Sequence, residues 1–415
     1  MNILIFIAGL LLYVGSGVWG FVYLAAATLL SYGIGLGIPK HRWLMWAGVA
    51  VNAAVLLFMK LQGVIGVELP AVLGISYFTL QIIAYMVDIY KGKAQPEKNL
   101  FRYALFVTYL PHMYIGPIQK YDAAIFQNRR ITAEGVWEGL ARALWGGFKK
   151  MVIAARAGVI ISAISADPEA YSGAYALAAM LMYSLQLYSD FSGGMDMVLG
   201  ISRILGVNLS ENFDVPYLSQ SFQEFWRRWH MTLGGWLKEY VYIPLGGNRK
   251  GKVRKVINLI VTFLVSGLWH GVQYLLWGLF NGIFVAVGTT LQTKWKHLNR
   301  IGTFLLVSLL WSFFVWSDAL TAGKMLLSVF TTFNYGAFFS TVGTLGLTLG
   351  DWIVLAVAAV ALWLYDVYNG KAKSAYAALA PWAKTAVICL LALIVLVFGM
   401  YGIGFNAEAF IYSRF

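Results

Sequence analysis

The sequence predicts an all-α polytopic integral membrane protein, and two observations carry that expectation: its composition and the length of its apolar runs. Of 415 residues, 60% are hydrophobic and 12% charged, with a mean hydropathy of +0.70, whereas soluble domains carry about 25% charged residues. A bilayer core takes roughly 20 mainly apolar residues per helical span, so this length with short loops allows about ten or eleven spans and no separate soluble domain.

Lys and Arg number 31 against 18 Asp and Glu. The excess lies in short clusters between apolar runs, at 40–42, 91–98, 249–255 and 294–300. That is the positive-inside pattern, so the expected neighbour is anionic membrane lipid rather than nucleic acid, with the basic loops cytoplasmic in a cell membrane. Parity agrees, because the run 43–61 leads away from the cluster at 40–42 and the run 71–89 leads back to the next. The first positive charge is Lys40, so residues 1–38 lack the charged start of a signal peptide and read as one or two retained membrane helices. Cys389 is the only cysteine; this excludes disulfides and thiolate metal clusters, and no metal is expected. Its apolar surroundings make it read as a core residue.

The whole of 1–415 reads as one transmembrane domain, with N-terminal spans at 1–100, a motif-bearing core at 101–282 and C-terminal spans at 283–415. The two ends look like scaffold. Between Pro111 and Asn281, polar, charged and aromatic residues are packed into chain with few loops, so function is expected there. No internal duplication of the kind that marks many transporters is visible.

Four segments in that core stand out. In 111–118, Pro111, Gly116 and Pro117 interrupt an apolar run and favour a re-entrant or broken helix, with His112 structural. In 183–196, Asp190 and Asp196 bracket the break-prone Ser192-Gly193-Gly194. Carboxylates beside a break in the membrane either line a cavity or cap helix ends; Asp190 either orients an imidazole or, more commonly, pairs with an arginine.

The third segment, 218–240, places Phe222, Phe225, Trp226, Trp229, Leu233, Trp236 and Leu237 on one helical stripe with Glu224, Arg227 and Arg228 opposite. This predicts an amphipathic helix at the membrane interface, its arginines partners of lipid headgroups or of carboxylates rather than catalysts. His230 falls at the edge of the stripe beside Gly234-Gly235, which bend or end the helix. On the helix alone, an interfacial, hydrogen-bonded His230 is the commoner reading, and a cavity-facing one the alternative.

The fourth, 257–284, is long enough to span, and in it Asn258, Thr262, Ser266 and His270 recur every four residues as one polar line. An ionisable group at membrane depth faces the bundle interior or a water-filled cavity, which makes His270 a functional candidate. Gly267 and Gly271 either give a substrate room beside the ring or let another helix pack closely.

FWRRWHMTLGGWLKEYVYIPLGGNRKG at 225–251, SGLWHG at 266–271, YSLQLYSDFSGGMD at 183–196 and PHMYIGPI at 111–118 together resemble the membrane-bound O-acyltransferase family, above all its alginate O-acetylation branch. The resemblance covers residues 73–282 and implies a helical bundle, with re-entrant and interfacial helices, around a central tunnel. It implies that His270 is catalytic, with His230 as its companion. Asp190, Asn258, Ser266, Trp236, Arg227 and Asp196 are the candidate tunnel and supporting residues. No bound cofactor is implied; the donor is a thioester substrate, most simply acetyl-CoA. The acceptor is a hydroxyl, on an extracytoplasmic partner acyltransferase that modifies a polysaccharide or cell-wall polymer. D-alanyl transfer from a carrier-protein thioester is the second reading within the family, and a transporter or flippase using the polar line is the alternative outside it. Four departures from the family pattern stand out: Asn281 stands for a frequent His, Gly194 for Tyr, Gly234-Gly235 for a Ser-containing pair and Glu239 for Asp.

Overall fold

The computed structural model describes residues 2–401 except 68, 71, 110, 112–114, 123–125, 127–129, 289–292 and 317. His112 therefore lies outside the described residues, as do its neighbours 113 and 114 in the segment read as a re-entrant break. Hydrocarbon offers no hydrogen bonds, and the chain satisfies its backbone within helices. Among the described residues the one β-bridge joins Phe213 to Trp229.

The helices are α1 (Asn2–Ser16), α2 (Val18–Gly37), α3 (Trp43–Leu61), α4 (Ile75–Tyr90), α5 (Leu100–Val107), α6 (Ala133–Gly147), α7 (Ala155–Ser165), α8 (Ala174–Ile204), α9 (Phe222–Arg228), α10 (Met231–Leu237), α11 (Gly251–His270), α12 (Leu275–Val287), α13 (Lys296–Leu310), α14 (Ser312–Val315), α15 (Ala319–Thr331), α16 (Tyr335–Thr341), α17 (Leu349–Val367), α18 (Asn369–Ala377) and α19 (Pro381–Phe398). Among the described residues, six runs are long and apolar enough to cross a membrane: α2, α3, α11, α17, α19 and Lys296–Val315. Three shorter apolar helices and a pair bent by 108° accompany them. The protein is thus a multi-pass membrane protein. Hydropathy finds fewer spans than chain length allows because central helices such as α8, with Asp190 and Asp196 inside it, give up apolar residues for polar contacts.

Arg42 lies over the Tyr90 ring at 4.2 Å, so the basic clusters at 40–42 and 91–98 share one end of the bundle. At that end Lys93 and Lys120 both pair with Glu239, whose longer side chain reaches two lysines.

Two expectations are corrected here. Residues 183–196 contain no break; they lie inside the 31-residue α8. Their glycines serve a helix crossing instead: a Cβ on Gly146 of α6 would lie 2.4 Å from the Gly193 carbonyl oxygen, and one on Gly139 would lie 2.5 Å from that of Gly200. Small residues let two backbones touch. Gly194 faces Ile115, where a Cβ would come within 2.6 Å, so a tyrosine there would collide with the 111–118 segment. The second correction is Cys389, which is exposed on α19, a helix with only 6% of its span buried inside the protein. An apolar run reads alike whether it faces lipid or core.

After α6 the chain widens into a π-helical segment, Phe148–Ala154, that turns both Lys149 and Lys150 toward α8. Lys149 binds Asp196 at 2.6 Å and donates to the Ser192 hydroxyl at 2.8 Å, and Lys150 pairs with Asp190.

The α6–α8 crossing predicts that Gly146→Leu, forced against backbone, costs at least about 1–3 kcal/mol and is lost from the monodisperse fraction in detergent. Gly158→Ala should keep the wild-type thermal midpoint, because its Cβ meets only the Gln186 side-chain end, 2.6 Å away. Glu239 gives a pH prediction. Burial raises its carboxyl, but hydrogen bonds and charge from Lys120 and Lys93 outweigh this and hold it below its ordinary value. A depressed carboxyl stabilises fully above its unfolded value and loses that contribution as pH falls through the folded one. The midpoint should fall below about pH 4.3, and Glu239→Gln should remove part of that dependence, by no more than about 1 kcal/mol for ion pairs whose lysines are exposed.

Candidate active site

The aromatic segment is not one amphipathic helix at an interface, as the wheel predicts, but α9, α10 and a π-helical turn Lys238–Tyr242. Ser221 caps α9 by accepting the Glu224 N–H at 3.1 Å, while the Glu224 carboxylate accepts the Gln220 N–H at 2.8 Å. The stripe itself holds, since Phe222, Phe225, Trp229, Leu233 and Leu237 are buried, Trp226 and Trp236 partly so, and Arg227 is exposed. It packs against protein rather than lipid.

The break comes at His230, not at Gly234-Gly235, which sit inside α10. His230 has φ +46° and ψ +53°, left-handed backbone that costs a non-glycine residue about 1–3 kcal/mol. Residues 212–214 hold it there. Phe213 bridges Trp229, Asp214 N–H donates to Arg228 O at 3.0 Å, and Met231 N–H donates to Asn212 O at 2.9 Å. The His230 side chain is 3% exposed, with Nδ1 3.2 Å from Asn212 Oδ1.

The run 257–284 is likewise not one helix. α11 ends at His270, Gly271 turns the chain with φ +147°, and α12 packs back against α11. A Cβ on Gly267 would lie 2.6 Å from Tyr274 O, one on Gly278 2.4 Å from Phe263 O and one on Gly282 2.8 Å from Ile260 Cα. Gly267 thus serves close packing and Gly271 the reversal; together they set His270 at the tip of a hairpin. The polar line divides in two. Thr262 donates to Asn258 O at 2.6 Å and Asn258 to Gly247 O at 2.8 Å, bracing α11 to the loop before it. Ser266 and His270 reach a cavity.

That cavity has a volume of about 30 Å³, and His230, Ser266 and His270 line it together with Leu187, Leu233, Trp226, Trp229, Trp277, Trp311 and Phe314. Trp269 links the histidines, its ring 6.2 Å from His230 and 4.7 Å from His270. Phe314 and Trp277 lie 5.7 and 5.6 Å from the His270 ring. The volume holds about two water molecules, so any larger molecule enters only when the aromatic wall moves.

A second, larger cleft of about 670 Å³ is lined by Arg142, Lys149, Tyr188, Asp196, Asn212, Asp366 and Lys373, among others. Arg142 binds Asp196 at 2.9 Å and Glu211 through two bonds of 2.7 and 2.6 Å. Because Asn212 lines this cleft and touches His230, one layer of side chains separates it from the histidine cavity.

The sequence-predicted residues therefore fall into three groups. His230, His270 and Ser266 meet at one cavity, and Asp196 lines the cleft. Asp190, Asn258, Trp236 and Arg227 line neither: Asp190 pairs with Lys150, Trp236 donates to Leu80 O at 2.9 Å, and Asn258 braces α11. Sequence reasoning missed Asn212, in a segment without periodicity, and Trp311 and Phe314, in a third of the chain read as scaffold.

Asn281 lines no part of the cavity, but it accepts the Trp226 indole N–H at 3.1 Å and donates to Trp277 O at 2.8 Å. Asn281→Leu should orphan the Trp226 N–H, costing about 1–3 kcal/mol, and lower acyl-transfer turnover through a displaced wall. An unchanged thermal midpoint and turnover in that variant would refute this supporting role.

The profile of the MBOAT, membrane-bound O-acyltransferase family, matches residues 90–332, which include both histidines and the whole cavity wall. The chain is 37% identical over 359 residues to the probable alginate O-acetylase AlgI of Pseudomonas fluorescens, covering 82% of this chain and 70% of that protein. It is 36% identical over 293 residues to the peptidoglycan O-acetyltransferase of Helicobacter pylori, covering 61% of this chain and 56% of that one. To the teichoic acid D-alanyltransferase of Streptococcus thermophilus it is 26% identical over 280 residues, covering 63% of this chain and 67% of the relative. A multi-pass helical bundle, a buried histidine cavity and a family match across 90–332 agree, and the chain belongs to the membrane-bound O-acyltransferase family.

Proposed function

We propose that this acyltransferase moves an acetyl group, in the simplest case from cytosolic acetyl-CoA, to a hydroxyl acceptor for O-acetylation of an exopolysaccharide or cell-wall polymer. The observation that carries the reading is that His230 and His270, 40 positions apart in sequence, line one buried cavity with the Ser266 hydroxyl and an aromatic wall. The reaction needs a proton acceptor for the incoming hydroxyl, a donor to the developing oxyanion and exclusion of water.

An imidazole takes the hydroxyl proton as the acceptor oxygen bonds to the thioester carbonyl carbon. The carbon–sulfur bond then breaks, and the thiolate leaves with that proton. Ser266 or the second imidazole supplies the hydrogen bond to the carbonyl oxygen, in a cavity where low polarity strengthens it. The donor approaches from the larger cleft, whose lining carries Arg142, Lys149, Arg203 and Lys373; by the positive-inside pattern the basic loops, and with them the donor's side, are cytoplasmic in the cell membrane. The acceptor arrives from the opposite side, on an extracytoplasmic partner acyltransferase. D-alanyl transfer from a carrier-protein thioester is the second reading, and the lower identity to the D-alanyltransferases ranks it below acetylation.

Purified protein in lipid nanodiscs, given radiolabelled acetyl-CoA and membrane extract, should transfer label. His270→Ala should lose about 10²–10⁴-fold of this rate while keeping the wild-type elution profile. Near-normal transfer by His270→Ala would sink the assignment, and turnover only with a D-alanyl carrier protein would select the second reading.

A further inference from the structure

Asn212 carries no helical or motif signal, yet its amide is held in one orientation by groups that owe nothing to the histidine. Its Oδ1 accepts the Thr232 backbone N–H at 3.0 Å and the Thr232 hydroxyl at 3.0 Å, and that hydroxyl in turn accepts the Ile118 N–H at 3.0 Å. A backbone N–H can only donate, so the amide atom facing Thr232 is oxygen and not nitrogen. The amide nitrogen lies on the other side, 3.6 Å from the Met195 sulfur, a weak acceptor.

His230 Nδ1 sits 3.2 Å from that same oxygen. An amide oxygen has no hydrogen to offer, so the bond requires one on Nδ1, and a neutral imidazole with Nδ1–H has a bare lone pair at Nε2. Nε2 is buried without a hydrogen-bond partner among the described residues, on a ring that lines the cavity shared with His270. The rings of Phe191 and Trp269 flank the imidazole at 4.8 Å and 6.2 Å. The backbone repeats the arrangement, since Met231 N–H donates to Asn212 O at 2.9 Å and fixes the left-handed turn that aims the ring.

We infer that Asn212 is a positioning residue for acyl transfer, locking His230 in the Nδ1–H tautomer so that Nε2 stands in the cavity as a proton acceptor. The inference rests on the proposed role of His230 in transfer. It also gives 111–118 a function, because Ile118 N–H anchors the chain of bonds through Thr232 to Asn212. His270 is the other ionisable side chain at the cavity.

The first test is nitrogen-15 NMR of histidine-labelled protein in nanodiscs without substrate, with the His230 signals assigned by their loss in His230→Gln. The Nδ1–H signature is expected in wild type, and an Nε2–H signature there overturns the inference whether or not the protein transfers acetyl groups. The second compares Asn212→Ala with Asn212→Asp. The alanine variant should populate the Nε2–H tautomer and lose about 10- to 100-fold in turnover, the usual result of removing an imidazole's orienting partner. The aspartate keeps an acceptor and should retain the tautomer, but its charge should move the acid limb of the rate–pH profile upward by about 1–3 units. Merely structural packing would lower the thermal midpoint without moving tautomer or profile, and that result also overturns the inference. If Asn212→Ala does not fold, the wild-type spectrum and the Asn212→Asp profile decide.

Discussion

Hydrocarbon accepts no hydrogen bonds, so every place where this chain leaves the helix at membrane depth has to find partners inside the protein. That constraint shapes the site. The chain leaves the helix at His230, and residues 212–214 lie antiparallel to 228–231 to take up the freed groups. It leaves again at Gly271, where the 3-10 turn Val272–Tyr274 closes the reversal. Both histidines stand at such breaks, one at the start of α10 and one at the end of α11. A side chain at a helix end can point into a cavity without a turn of helix in front of it, so the breaks are what bring the two imidazoles to a common space.

Charge follows the same logic around α8. Lys149, Lys150 and Arg142 each meet a carboxylate, and Arg156 also donates to Phe398 O at 2.6 Å, joining the α6–α8 layer to the end of α19. Buried pairs add little net stability, yet removing one partner costs about 3–5 kcal/mol because the other charge stays behind. These pairs, with Lys384 of α19 on Glu134 of α6 at 2.7 Å, therefore fix which faces of α6, α8 and α19 meet, while the glycine crossings set how closely α6 and α8 approach. Asp190 and Asp196 belong to this framework, and the large cleft uses its surface as a floor.

The sequence made legible what depends on local chemistry and hid what depends on the return path of the chain. His270 stood out because an ionisable residue in an apolar run is costly without a purpose, and the stripe from Phe222 to Leu237 stood out by its period. The left-handed turn at His230 was invisible, since its cause lies in residues 212–214, which share no periodicity with it. Ser192-Gly193-Gly194 read as a break because glycine serves turns and close helix crossings alike, and only the partner helix, with Gly139 and Gly146, distinguishes them. Gly267 and Gly271, four residues apart, turned out to do one job each. Trp311 and Phe314 were missed because an aromatic residue in an apolar span looks the same facing lipid, a core or a catalytic cavity.

Those two residues bear on how the proposed site would favour acyl transfer over hydrolysis. In the proposed reaction a thioester beside an imidazole acting as base is open to attack by any water present, and water is smaller than every proposed acceptor. Trp277 and Trp311 stack at an interplanar angle of 16°, and Phe314 stacks on Tyr274 with centroids 4.2 Å apart, closing the cavity down to about 30 Å³. Each such ring contact is worth about 0.5–1.5 kcal/mol beyond its buried area. Acyl and acceptor groups that replace those contacts with their own can displace the rings, whereas a lone water recovers almost none of that energy. The aromatic wall is therefore selective without being rigid: it yields to an apolar or extended substrate that fills the space it opens, and stays shut against the competing nucleophile.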